Sequence, residues 1–517
     1  MSLTLNTSTV GWSHGLAIAE TQVKGLIATA ESNIARLTEQ IRELSRLRAK
    51  ERSVLATLRL MIVPIGKLPT EVLVEIFSLA VHTPVLRDMF VRSAFSGWPR
   101  SLYQGDSRAA LRKVLCLSQV SSYWRQIICD TPRLWSEGVV DIRLNRELTD
   151  SYLSGLETMF ARSAPYPISL SLDHGGKKSS ATAAIANIIV PTVQRWRNFD
   201  TDLDSFLHFG DFPPGTFQAL ERLHIKGLSE LTTSRSIMAF QSSPRLRSFT
   251  LNNLSAKIHL FHLPWGQLTH LDISDESLGG CRNVLLQCSN LIFAKISTSV
   301  EWDLTTEAAN SPIVVLPFLT TLVVNFEFGS DSEPVGGLEA FFSPLALPSL
   351  KTIDFQFDSE TDEFWPTAVF SEFQNRSPEI EEITMIFSSI YADELVSLLR
   401  HAPALTTLRL ECCWNSVDED LFYALRYDDS DLTPVAPKLQ DIHLEHVSLG
   451  DFSAGPFEDA VRSRWWKDGE RLLADGSPPR VCRLKKLLLC LEESEQNDDV
   501  KARVQDLIDQ GLDWSYE

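Results

Sequence analysis

Long apolar runs are missing from this chain. No stretch approaches the roughly 18 consecutive apolar residues that a membrane-spanning helix needs. The opening residues, MSLTLNTSTVGWSHGLAIAE, lack both the basic start and the compact apolar core of a secretory leader. The expectation is a protein of the cytoplasm or nucleus with no membrane partner. Cysteine is sparse, at 8 in 517 residues, and no CxxC pair occurs. That disfavours a structural zinc site or a disulfide framework and leaves small buried thiols in a reducing compartment. The histidine pairs His259/His262 and His443/His446 are three residues apart. Along a strand that spacing places them on opposite faces, so no shared metal site is expected.

Catalytic signatures are also absent. HGGKKSS at 174–180 holds glycine and lysine without phosphate-loop spacing, and neither HExxH nor GxSxG occurs. Carboxylates are plentiful, but nothing marks any two as an acid and base. No cofactor is expected, and the function expected is non-enzymatic. Positive charge is short as well: 48 Lys and Arg stand against 67 Asp and Glu, a net charge of −19. The deficit is uneven, with +5 over residues 1–150 and −24 over 151–517. An acidic body repels nucleic-acid phosphates and anionic lipid, and favours basic partners.

What is present is organised by leucine. After a tail expected at 1–20, Ile27, Ala30, Ile34, Leu37, Ile41 and Leu44 step by three and four, and Leu55 and Leu58 keep that register. Arg48 and Glu51 interrupt it. The spacing predicts an amphipathic helix or coiled coil over 21–60, either self-associating or binding a partner, or packed on its own chain. Pro64, Gly66 and Pro69 then punctuate the chain. TEVLVEIFSLAV at 70–81 reads as a helix with Thr70 as N-cap and Val72, Ile76 and Leu79 along one stripe. Residues 82–110 read as a long loop, and LRKVLCLSQVSSYWRQIICD at 111–130 as a second helical stretch.

Farther on, an apolar-x-x-apolar-x-apolar unit recurs ten times, from LERLHI at 220–225 to LKKLLL at 484–489. LTHLDI at 268–273, LTTLVV at 319–324, LKTIDF at 350–355 and LTTLRL at 405–410 are among the copies. Start-to-start steps run from 22 to 45 residues, most of them near the 20–29 range of leucine-rich repeats. In a strand the fourth and sixth positions face one side and are buried, while the third, fifth and seventh face the other. One copy is only a short strand; ten at this spacing predict a parallel stack. ISLSLDH at 168–174 and WRNFDTDLD at 196–204 read as degenerate leading repeats, and Cys413 alone matches the Asn/Cys that usually follows such a strand.

LPTEVLVEIF at 68–77 resembles the opening of an F-box. LSQVSSYWR at 117–125, followed by Ile128, Pro132, Leu134 and Trp135, resembles its later part. With the leucine repeats, the layout is similar to F-box/leucine-rich-repeat proteins of the fungal type. The resemblance implies an α/β fold: an N-terminal helix or coiled coil, a three-helix F-box, then an irregular leucine-rich-repeat solenoid with a parallel strand stack. The expected divisions are 61–140 for the F-box with an insert at 82–110, and 141–216 for a linker with leading repeats. The solenoid is expected over 217–495 and an acidic segment over 496–517.

The implied function is substrate recognition for a cullin-based SCF ubiquitin ligase. The F-box would bind the Skp-family adaptor, and through it the cullin scaffold, while the repeats hold a target protein. A repeat scaffold outside the ubiquitin system fits the same residues. Adaptor contacts are expected at Leu68, Pro69, Val72, Ile76, Phe77, Leu117, Val120 and Trp124. Target contacts are expected at Asp354, Glu382, Glu411, Asp441 and Glu445, which cluster on the open side of the later strands and suit a Lys/Arg-rich segment; the first five repeats carry Arg222, Lys226 and Lys295 with Asp272 there, so the face is expected to be polarised, with its acidic end toward the C-terminal half.

Overall fold

The computed structural model describes residues 9–62, 64–82, 107–143, 149–173, 182–209, 212–226, 236–252, 258–275, 278–299, 313–327, 337–357, 365–447, 454–467, 471–473, 478–491 and 500–515. They fall into two units, 1–134 and 135–517. No described helix is long and apolar enough to cross a membrane.

The first unit opens with a helix, α1 (Thr9–Ile62), longer at both ends than the predicted 21–60. The expected tail is thus helical from Thr9 onward, and residues 1–8 lie outside the described residues. Between Thr9 and Ile62 there is no proline to remove a backbone donor, so one helix can run through. A 3-10 turn (Pro64–Lys67) leads to α2 (Thr70–His82). The Pro69 carbonyl accepts the Leu73 amide at 3.1 Å, so the Leu-Pro pair sets the helix entry. Residues 83–106 of the expected insert lie outside the described residues, and Ser107 already begins α3 (Ser107–Ser118). The single helical stretch expected over 111–130 is divided. Ser121 is extended (φ −155°, ψ 164°), and its hydroxyl accepts the Trp124 amide at 3.1 Å, so it caps a new helix, α4 (Ser122–Cys129). A short α5 (Pro132–Ser136) follows.

The second unit is built on one parallel sheet of fourteen strands, each paired to the next along the chain. They are β1 (Val139–Arg143), β2 (Ile168–Asp173), β3 (Trp196–Asp202), β4 (Arg222–Lys226), β5 (Ser248–Asn252), β6 (His270–Asp275) and β7 (Phe293–Ser299), then β9 (Thr321–Glu327), β11 (Thr352–Phe357), β12 (Glu382–Ile386), β13 (Thr407–Glu411), β14 (Asp441–Val447), β15 (Lys486–Leu491) and β16 (Asp513–Ser515). The minor strands β8 (Val314–Val315) and β10 (Leu345–Ala346) pair only with each other. Consecutive parallel pairing without reversal is the geometry of a repeat stack.

Three columns of side chains make the core, and they are the three apolar positions of the motif. Leu220, Leu268, Leu319 and Leu405 fill the first, Leu223, Leu271, Leu322 and Leu408 the fourth, and Ile225, Ile273, Val324 and Leu410 the sixth; all are buried. Ile353 and Leu487 are buried as expected too. Helices lie between the later strands, as at Thr367–Arg376 and Ala392–Arg400, whose Phe370, Phe373, Leu395 and Leu399 complete the interior. The backbone ladder extends one residue ahead of the strands. Glu221, Arg247, Thr269, Ile292, Thr320 and Lys351 each donate their amide to the equivalent carbonyl one repeat earlier at 2.8–2.9 Å. At the eighth motif position Phe387, Cys412 and His446 adopt the left-handed region (φ 50–55°), which turns the chain out of the strand. Cys413 is buried, and its thiol points at the Met385 carbonyl at 3.5 Å and the Glu411 carbonyl at 3.4 Å. Burial pushes that thiol up to about 12.

Two expected divisions are corrected. Within 141–216 the leading repeats expected at 168–174 and 196–204 are β2 and β3, but the linker is corrected, because the sheet already begins with β1 at Val139. The segment 496–517 is not merely an acidic end. Val500, Val504, Leu507 and Leu512 are buried, and β16 pairs with β15.

Candidate functional sites

In the first unit the interior is made by Leu73, Phe77, Val81, Val114, Ile127, Ile128 and Leu134. Phe77 is wholly buried, with its ring centroid 4.7 Å from that of Trp124. This corrects the expectation that Phe77 meets a partner: it packs inside its own unit, and Trp124, half-buried, is its main support. Ile76 and Leu117 are half-buried, as is Leu68, while Pro69 is exposed. Val72 and Val120 are the expected contacts that stand out, 43% and 56% exposed. The Thr70 hydroxyl lies 3.3 Å from the Tyr123 hydroxyl, which brings the start of α2 beside the α3–α4 turn. An ion pair from Arg133 to Glu75 at 3.2 Å ties α5 to α2.

Three exposed apolar residues escaped the list of expected contacts: Leu79, Leu115 and Tyr123. Leu79 had a signal, since it lies seven residues beyond Val72 on the same stripe. Tyr123 stands next to Trp124 and carries none of its own.

In the second unit the candidate surface is the sheet face opposite the core, lined by the third, fifth and seventh motif positions. Register fixes which residues neighbour one another. The fifth positions form a row from Asp200 and His224 through Asp272, Lys295 and Asp354 to Arg409 and His443. Glu382 and Asp441 lie in the row before it, and Glu411 and Glu445 in the row after. The five expected target contacts are therefore spread over three rows, all half-buried.

Their surroundings differ. Glu382 is 3.4 Å from Arg409 and is partly neutralised. Asp354 accepts the Gln356 amide group at 3.0 Å, and burial lifts its carboxyl above the usual range. Asp441 is in register with Lys486. Glu411 and Glu445 are in register on adjacent strands, with no cation at ion-pairing distance among the described residues. Burial first, then the Glu445 charge, raises the Glu411 carboxyl. His443 is buried and its pKa is lowered to about 4, by burial and then by Arg409 and Lys486.

At the other end, the basic character expected from Arg222, Lys226 and Lys295 is diluted by strands that sequence reading left out of the count. Asp200 takes Lys226 at 2.7 Å and His224 at 3.3 Å. Burial pushes the Asp200 carboxyl up, but these two partners outweigh it and hold it below the usual range. Asp141 adds a further carboxylate, 3.5 Å from Arg143. Polarity along the face is thus weaker than the ten-repeat count predicted, and its least compensated acid is the Glu411–Glu445 pair.

Comparison with known proteins adds a family to this geometry. The F-box-like family model matches residues 65–139. No curated protein matches the chain. Among solved structures, yeast Rad7 in its complex with Elc1 aligns over 90% of this chain and 98% of that one, at 13% identity and a TM-score of 0.34. The mouse RP105/MD-1 complex aligns over 74% of this chain and 59% of that one, at 12% identity and a TM-score of 0.35. The leucine-rich-repeat protein LegL7 from Legionella pneumophila aligns over 72% and 98%, at 11% identity and a TM-score of 0.31. Overlaps this loose carry no inference about function. The chain thus contains an F-box-like segment at 65–139, followed in the sequence by a parallel repeat sheet built on columns of leucine, the pattern of leucine-rich repeats.

Proposed function

We propose that the chain is a non-catalytic substrate receptor of a cullin-based SCF ubiquitin ligase, working in the cytoplasm or nucleus where that ligase core operates. The observation that carries this reading is the F-box-like match over helices that leave Val72, Val120 and Tyr123 exposed around Pro69. Such a cluster is what a Skp-family adaptor would cover, with the apolar contacts at its centre supplying most of the affinity. Phe77 and Trp124 act beneath it by holding the helices in place. The repeat sheet presents the target. A Lys or Arg side chain seated between Glu411 and Glu445 would offset the burial and the Glu445 charge that together raise the Glu411 carboxyl, so a basic segment is the chemistry that fits.

The test is mass spectrometry of partners captured by the intact chain and by one lacking residues 64–136. The reading expects adaptor and cullin with the first and neither with the second, while a target remains with both. Recovery of targets without adaptor or cullin from the intact chain would instead make it a scaffold outside the ubiquitin system.

A further inference from the structure

Helix α1 carries an apolar surface that no described residue covers. Every residue whose side-chain exposure is described along it, 22–55 with 58 and 59, is exposed. In the heptad register set by the leucines, Ile27, Ile34 and Ile41 take the first core position (a), and Leu37, Leu44 and Leu58 the second (d). The remaining large apolar residues at described positions fall at a, d or the flanking g position, and all are 46–70% exposed. The opposite face is finished for water: Glu39 pairs with Arg42, and Glu43 with Arg46 at 3.8 Å. Thr29 and Thr38 return their hydroxyls to the Gly25 and Ile34 carbonyls at 2.8 Å and ask nothing of a neighbour.

We propose that this face is covered by a second copy of the same helix, in a parallel, in-register two-stranded coiled coil. Isoleucine at a with leucine at d is the combination that favours two parallel strands. The flanking pairs that this arrangement brings together are Leu26 with Glu31, Asn33 with Thr38, Gln40 with Ser45, Leu47 with Arg52 and Val54 with Arg59, none of like charge. Arg48 at a and Glu51 at d fix the register. In register, Arg48 faces Arg48 and Glu51 faces Glu51 in neighbouring layers one turn apart, so each Arg48 can reach Glu51 of the other copy and the two like-charged layers offset one another; a slip of one heptad would set these charges against Ile41, Leu44, Leu55 or Leu58 instead. About 100 Å² of apolar surface per seam side chain gives roughly 1,500–2,000 Å² over both copies, the size of a stable interface.

The experiment is sedimentation equilibrium of the full chain at tens of micromolar, beside the Ile34→Lys/Leu37→Lys variant and a Leu37→Cys variant under mild oxidation. The expected result is a dimer for the parent and a monomer for the double lysine variant, with amide exchange in the strands from Val139 onward unchanged between them. Leu37→Cys should give a disulfide-linked dimer that the parent, treated identically, does not. A monomeric parent, or a dimer that survives both lysines, overturns the proposal. A dimer that dissociates with the lysines but does not cross-link through Leu37→Cys overturns the parallel arrangement, in favour of an antiparallel one.

Discussion

Replacing Arg464 should open the end of the repeat sheet while leaving its beginning intact. Arg464 follows the helix Ala454–Ser463 and is almost wholly buried. Its guanidinium donates from Nε to the Leu425 carbonyl at 2.6 Å, from Nη1 to that of Ala436 at 3.0 Å and from Nη2 to that of Val435 at 2.5 Å. Its own carbonyl accepts the Leu484 amide at 3.0 Å. One planar fork thus ties the segment ahead of β14 to the segment ahead of β15. Burial lowers its pKa to about 10, so the group is still charged at neutral pH.

Arg464→Met removes all three donors and strands the Leu425 and Val435 carbonyls, while that of Ala436 keeps the Leu439 amide at 3.2 Å. Losing one side of a buried charged network costs about 3–5 kcal/mol, and relief of the arginine's own desolvation takes back part of that, leaving about 3 kcal/mol. In a stack where each repeat touches only its neighbours, the loss stays local. Hydrogen exchange should therefore speed up by about a hundredfold at the amides of β14 and β15 and stay unchanged in β4 and β5. Arg464→Lys keeps the charge but not the fork and should recover little of the loss. A uniform rise across all strands, or no rise at all, would refute both the placement of Arg464 and the locality of the sheet.

Other consequences can be measured independently. Phe77→Ala should destabilise the first unit by about 3–5 kcal/mol, seen as rapid proteolysis within 70–134; lost adaptor binding at unchanged stability would return Phe77 to the surface. His443 is held neutral with a folded pKa of about 4, below its ordinary 6.5. Its contribution is complete above pH 6.5 and is lost as pH falls towards 4, by about 2 kcal/mol, so urea midpoints at pH 7.5 and pH 5 should diverge in the parent and converge in His443→Gln. Replacing Asp354, Glu382, Glu411, Asp441 and Glu445 with serine should abolish capture of a basic target, which in the parent should weaken as salt rises; a target retained by the five-fold variant would place the site elsewhere.

The repeat core was legible because its first position is nearly always leucine. Where it is not, the reading weakened. By register the first positions of β1 and β16 fall on Glu137 and Gly511, so these strands offered one short alternation and no anchor, while in β2 Ile168 lies opposite Trp196 and 168–174 was read as a leading repeat without being counted. In β3 Trp196 takes that place and is fully buried, which is why 196–204 could be suspected but not counted. The missing strands also carried the acids that dilute the expected charge polarity.

In the F-box-like helices the stripe on α2 was legible, but its covered edge was not. Phe77 and Ile76 are equally apolar, and only the ring of Trp124, distant in sequence, decides that Phe77 lies inside. The break at Ser121 was likewise hidden, since its capping role depends on an extended backbone that the residue type permits but does not require.

The central claim is that the F-box-like helices bind a Skp-family adaptor, and calorimetric titration of the full chain with that adaptor tests it most directly. The account predicts saturable binding that weakens at least tenfold in the Leu68→Ala/Pro69→Ala variant, on the basis of about 2 kcal/mol for two interface contacts, and is unchanged by the five serines on the sheet. Absence of binding by the parent, or equal binding by the Leu68→Ala/Pro69→Ala variant, would contradict it.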